Sequence, residues 1–190
     1  GRGRGTQTSL CAPIGEISLR ERGQHGISKG EANHYAPFSA EWSRFAAMRE
    51  KGPFCAHNAA VEDGLLRSVW SCPRTSPDFS DKEQFVPSWG PWLDTLHLYR
   101  QLYPDLKSHK LEDLVGVFQL QASLDAQAER HCPAKRGRYH CALYDALASA
   151  LLLRHVLFEP TLNRPSLRWL FLQSAASDAA RGSMGQQDLL

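Results

Sequence analysis

Apolar residues fill nearly every position from 141 to 158, CALYDALASALLLRHVLF, so this stretch predicts a helix buried on all sides rather than along one face. Its only acid is Asp145, five residues after His140. An ionised carboxylate buried without a partner is costly, which leaves Asp145 protonated, ion-paired or bound to a metal. Upstream, Phe54-Cys55-Ala56 predicts a short strand that ends at His57-Asn58 and feeds a helix over residues 59–70. At roughly 100° per residue, Val61, Leu65, Leu66, Val69 and Trp70 share one apolar arc of that helix. Glu62 falls near the middle of the arc and should point inward. Asp63 falls at its edge, four residues before Arg67, and reads as a solvated surface pair.

The rest of the pattern is less regular. A period-two stretch over residues 6–11 suggests an edge strand, and 15–36 reads as loop with a short helix over 29–34. Ser39 can cap a helix to about residue 50, with Trp42, Phe45, Ala46 and Met48 on its apolar side and Lys51-Gly52-Pro53 stopping it. Residues 72–89 are rich in Pro, Ser and Asp and read as an irregular connection. Asp94 can cap a helix to about residue 103, Ser108 one over 110–118, and shorter helices are expected over 124–129 and 166–176. No internal repeat is visible, so one domain over 1–176 with a flexible tail over 177–190 is the expected organisation.

At 190 residues the chain can bury a substantial core, and its net charge of +2 excludes a polycation that would coat nucleic acid all over. Any such contact must be local, and Arg130, Lys135, Arg136 and Arg138 cluster just before His140. Five cysteines without a CxxC pair, and no signal-like opening, point to a reduced, cytoplasmic setting. The longest apolar run, 146–153, is too short for a bilayer, so no membrane partner is expected. His131-Cys132 and His140-Cys141 could be read as zinc ligands, but adjacent His-Cys pairs lack the usual spacing. Cys55 and Cys141 sit in apolar strings where thiols are inert, and Trp89, Trp92 and Tyr99 read as core more than as a base-stacking platform.

Two helices thus each carry one acid on an otherwise apolar face, each acid following a histidine. If Glu62 and Asp145 converge, their oxygens suit a hard divalent cation, Mg²⁺ or Mn²⁺. A structural hydrogen bond or an arginine partner would satisfy either acid alone.

At these residues the chain resembles the DEDDh 3′-5′ exonucleases, a family with a ribonuclease H-like fold. Gln24-His25-Gly26-Ile27-Ser28 resembles its HGI loop, FCAHNAAVEDGLL (54–66) its second motif, the DTL and KSH.L..L elements of 94–114 the intervening segment, and RYHCALYDA (138–146) its third motif, HxAxxD. The resemblance covers about residues 6–157. It implies an α/β fold, a mixed sheet flanked by helices, and a metal-dependent 3′-5′ exonuclease acting on nucleic acid with a free 3′ end. Asp145 and Glu62 would be carboxylate ligands of a two-metal site with ions about 3.5–4 Å apart. His140 would be the general base. His57 and Asn58 would shape the turn or position substrate, with Arg136 and Arg138 near the phosphate. Glu62 stands where the family has Asp. The family's first motif, Asp-x-Glu on its opening strand, has no counterpart, so the chain is expected to begin after the first two strands. The alternative is a catalytically inactive module of the same fold that binds nucleic acid or protein.

Overall fold

The computed structural model describes residues 5–70, 75–81 and 83–175. In order they form α1 (Leu19–His25), α2 (Lys29–Ala32), α3 (Trp42–Lys51), β1 (Cys55–Ala56), α4 (Ala60–Val69), β2 (Thr75–Pro77), β3 (Phe85–Pro87), β4 (Leu93–Asp94), α5 (Thr95–Leu102), α6 (Leu111–Val117), α7 (Gln121–His131), α8 (Ala142–Leu157) and α9 (Leu167–Ser174). The class is mixed α/β and mostly helical. The tail expected over 177–190 lies outside the described residues.

α8 is the central element. Tyr144, Ala148, Ser149, Leu152 and Val156 are buried, whereas Ala142, Ala146, Ala150 and Arg154 are exposed. The expectation of a helix buried all round is therefore corrected: α8 buries one stripe of 3.6-residue period and turns mainly alanines outward. Hydropathy misleads here because alanine propagates a helix on either a buried or a solvated face. The stripe divides two apolar clusters. Leu152 and Val156 pack with Leu93, Leu98, Tyr99, Leu114, Leu170 and Phe171 from β4, α5, α6 and α9. Tyr144, Ala148 and the capping residue Cys141 pack with Val115, Leu124 and Ala128 from α6 and α7.

β1 pairs in parallel with β4, Cys55 against Leu93 and Ala56 against Asp94. α4 leaves the end of β1 and α5 the end of β4. Beneath the strand pair lies an aromatic group in which Trp89, 1% exposed, stacks on Phe54 at 6.1 Å and meets Trp42 and Trp70 edge-on or tilted at 5.4–5.5 Å. Trp89 and Tyr99 are thus core residues. The fully buried Arg49 guanidinium donates to the carbonyls of Trp89, Pro77 and Gly90 and lies 4.9 Å from the Phe79 ring centroid, fastening the neighbouring connection to α3.

That connection is less irregular than its composition suggests, because β2 and β3 form an antiparallel hairpin, Ser76 opposite Val86. The expected edge strand over 6–11 does not form; the chain makes a single bridge just beyond it, from Ala12 to Pro37. α1 forms where the pattern reads as loop, started by a reciprocal capping box of Ser18 and Glu21. None of its residues is buried, which is why apolar periodicity gave no sign of it. The helix over 39–50 starts as a 3₁₀ turn at Phe38–Glu41, and Ser39 makes no cap. Asp94 caps α5 as expected, its side chain accepting from Leu96 N at 2.9 Å. Among the described residues, no helix is long and apolar enough to cross a membrane.

Candidate active site

α4 and α8 open in the same way. Asn58 (φ 68°) and His140 (φ 65°) both adopt left-handed backbone two residues before their helix begins. Such a conformation costs a non-glycine residue free energy and persists only where the surroundings impose it. At α4 the imposing group is Asp94, buried at the end of β4, whose two oxygens accept the N–H groups of Asn58 (3.0 Å) and Ala59 (2.9 Å). At α8 it is Asp145 itself, whose Oδ1 accepts the N–H of His140 at 3.3 Å.

Both turns face one cavity of about 1170 Å³. Glu62, Asn58 and His57 line it from α4 and its turn, Asp145, His140 and Tyr139 from α8, Gln24 and His25 from α1, and Cys55 and Ala56 from β1. The two predicted acids and the predicted base thus share one space. Glu62 is exposed and does not point into the apolar core; its apolar neighbours Val61 and Leu65 are exposed too, leaving Leu66 as the buried residue of α4. The arc was real as a pattern, but tertiary packing covers only its far side. Asp63 is also corrected: it pairs with Arg67 at 2.7 Å as expected, yet its other oxygen accepts from Trp92 Nε1 at 3.0 Å, making it a partly buried tie. Asp63 belongs to a separate cavity of about 270 Å³ on the other side of α4.

Burial raises the Asp145 carboxyl above its ordinary range, partly offset by the N–H of His140 and by the His140 side chain. Burial likewise raises Glu62, and the charges of Asp94 and Asp145 push it further the same way. The Glu62 carboxyl thus senses the charge of Asp145 across the cavity. This is the electrostatic condition that a divalent cation relieves. Two carboxylates fall short of a full ligand set, and among the described residues no three His, Cys, Asp or Glu side chains come together as a metal-holding group.

His57 plays a different part. Its Nε2 must donate to the carbonyl of His109 (2.9 Å), since a carbonyl only accepts, so Nδ1 of the neutral ring accepts from the Thr95 hydroxyl at 3.0 Å. Burial lowers its pKa, which favours the neutral ring. His109 in turn donates through Nε2 to the Tyr103 carbonyl at 2.9 Å, and Ser108 donates to Asp113. The end of β1 is thereby bolted to the loop between α5 and α6.

Neither predicted arginine lines the cavity. Arg136 pairs with Glu31 of α2, and the Arg138 guanidinium lies against Gly26 in the HGI turn. The cations that do line the cavity are Arg100, Lys107 and Lys110, from the end of α5 and the loop that follows. Sequence reasoning passed over Arg100 and Lys110, which carry no motif and stand in no charge run, and took Lys107 only as part of the KSH element. The Cys55 thiol is pushed up to about 12, by burial and then by Asp94, and is inert as a nucleophile.

Compared with known proteins, the chain matches no family model, no curated protein and no solved structure.

Proposed function

We propose that this protein is a metal-dependent 3′-5′ exonuclease with a ribonuclease H-like fold, acting on nucleic acid with a free 3′ end. The observation that carries the reading is the meeting of Glu62, Asp145 and His140 in one cavity, from helices about 80 residues apart in sequence, with both carboxyls raised by desolvation. The resemblance of the two surrounding motifs to the DEDDh exonucleases adds the reaction class. Glu62 and Asp145 would hold Mg²⁺ or Mn²⁺, which when bound polarises a phosphodiester and offsets the charge developing on it. His140 is the proton acceptor for the attacking water. Its exposed ring, at the head of α8, is accessible to that water. Asn58 and His57 keep the opposite wall in place.

A second reading is a binding module of the same fold without catalysis. It is favoured by the acid count, two where two ions need more, and by the engagement of Asp145 with the His140 backbone.

The test is degradation of a 5′-labelled oligonucleotide with Mg²⁺ or Mn²⁺, run on this chain and on the full translated product of its gene. Stepwise shortening from the 3′ end is expected, abolished by EDTA and lowered at least a hundredfold by His140→Ala. Full-length substrate with both metals, or a His140→Ala variant as active as the parent, rejects the exonuclease and leaves the binding module. Independently of activity, Mn²⁺ should raise the Tm of the parent and not that of Glu62→Gln/Asp145→Asn.

A further inference from the structure

We propose that Arg100, Lys107 and Lys110, with the Tyr139 ring, form a metal-independent subsite that grips the phosphates of single-stranded polynucleotide beyond the nucleotide at the acids. The inference rests on the nucleic-acid half of the reading above and not on hydrolysis.

The charges in the cavity are segregated. Glu62 and Asp145 stand on α4 and α8, while the three cations stand on the α5 end and the α5–α6 loop. None of the three cations forms an ion pair with a carboxylate among the described residues, whereas Lys29, Arg44, Arg67 and Arg136 elsewhere all do. Glu112 shares this wall and leaves it with a net charge of +2, from three cations and one acid. Holding unpaired like charges together is unfavourable unless an anion arrives.

The loop is also built to stay in place. His57 holds the His109 carbonyl, His109 holds the Tyr103 carbonyl and Ser108 holds Asp113, so both lysines are presented on a braced backbone. A braced loop loses little entropy when it binds. Three features then choose the anion. Lysine serves as a point charge for phosphate. Two aromatic rings, Phe45 and Tyr139, line the same cavity, and cationic grooves with aromatic faces are how unpaired bases are held. Finally, a cavity of about 1170 Å³ is on the scale of ligand pockets, room enough for the end of a strand.

Fluorescence anisotropy of a labelled ten-nucleotide oligothymidylate in EDTA, where no metal chemistry runs, tests the proposal. Against the parent, Arg100→Gln/Lys107→Gln/Lys110→Gln should bind at least tenfold more weakly at low salt. The slope of log K against log salt should fall by about 2, at roughly 0.7 per cation removed for single strands. Lys29→Gln, outside the cavity, should bind as the parent does, and Glu62→Gln/Asp145→Asn should bind as tightly or more tightly. All three cations are exposed, so these variants should keep the parent's urea midpoint; the single variants Lys107→Gln and Lys110→Gln give the same readout should the triple one unfold. No binding by the parent in EDTA, or an unchanged salt slope in the triple variant, overturns the subsite. Equal competition by inorganic polyphosphate, which has no bases, overturns the polynucleotide assignment. Binding without hydrolysis in Mg²⁺ or Mn²⁺ leaves the subsite standing and rejects the exonuclease; hydrolysis with an unchanged slope does the reverse.

Discussion

α4 and α8 present the same device in two states of independence. Each is preceded by a left-handed residue, Asn58 or His140, and each carries an acid into the cavity. At α4 a third residue from another strand, Asp94, holds the turn, so Glu62 has no share in building it. At α8 the acid of the site is also the acid that holds the turn, since Asp145 accepts the His140 N–H. The difference teaches that equal positions in a site need not carry equal weight in the fold. Glu62 can be altered for function alone, whereas any change at Asp145 also touches the placement of the base.

The sharpest break of this comparison is Asp94→Ala, which strips the buried acceptor from Asn58 N, Ala59 N and Leu96 N at once. A loss of about 3 kcal/mol in urea denaturation is expected, with α4 released from β4. Asp145→Ala should cost less, about 1 kcal/mol, because the group is half-buried and one N–H is orphaned. Asp145→Asn, which keeps an oxygen in place, should restore most of that loss without restoring any metal response. An equal cost for the Ala and Asn variants would show that Asp145 does not hold the turn.

The backbone itself supplies the next contrast. Glycine adopts positive φ without steric cost, so His140→Gly should gain up to about 1 kcal/mol while losing the base. Asn58→Gly should gain only a few tenths, since asparagine already tolerates that conformation. The reverse ranking would place the strain at α4.

Titration gives the smallest effect and a definite sign. The folded-state pKa values of Glu62 and Asp145 are raised, so between their unfolded and folded values the native state binds more protons than the unfolded chain. Their contribution to stability is fully present below the ordinary carboxylate range and is lost as pH rises through the folded values. Glu62→Gln/Asp145→Asn should therefore become more stable relative to the parent on going from pH 4 to pH 7. His57 works the other way, its lowered value making stability fall as pH drops below the ordinary histidine value of 6.5. Glu62→Gln by itself should shift stability at pH 7 by less than about 0.5 kcal/mol, measurable as an unchanged urea midpoint.

How far these features were legible in the chain depends on their range. The helices over 60–69, 95–102 and 142–157 follow from local apolar spacing and from caps such as Asp94, and all three lie close to where the sequence puts them. The capping box Ser18-Leu19-Arg20-Glu21 was also written there and was overlooked, since no apolar face accompanies it. Which face of a helix meets the core was not legible. Val61 and Leu65 look like core and are exposed, and Ala146 and Ala150 extend an apolar run along solvent.

By itself the sequence determined where backbone turns into helix and which residues carry acid, base or cation, because capping, helix propensity and side-chain chemistry act over four or five positions. The tertiary structure alone decided that Glu62 and Asp145 line one cavity, that Asp63 is drawn to Trp92 on the other side of α4, and that Arg100, Lys107 and Lys110 line that cavity where Arg136 was expected. Those outcomes depend on the parallel pairing of β1 with β4 and on the packing of α8 between its two clusters. Desolvation and Coulomb energies are set by neighbours in space, and neighbours forty or eighty residues away leave no mark in the local pattern.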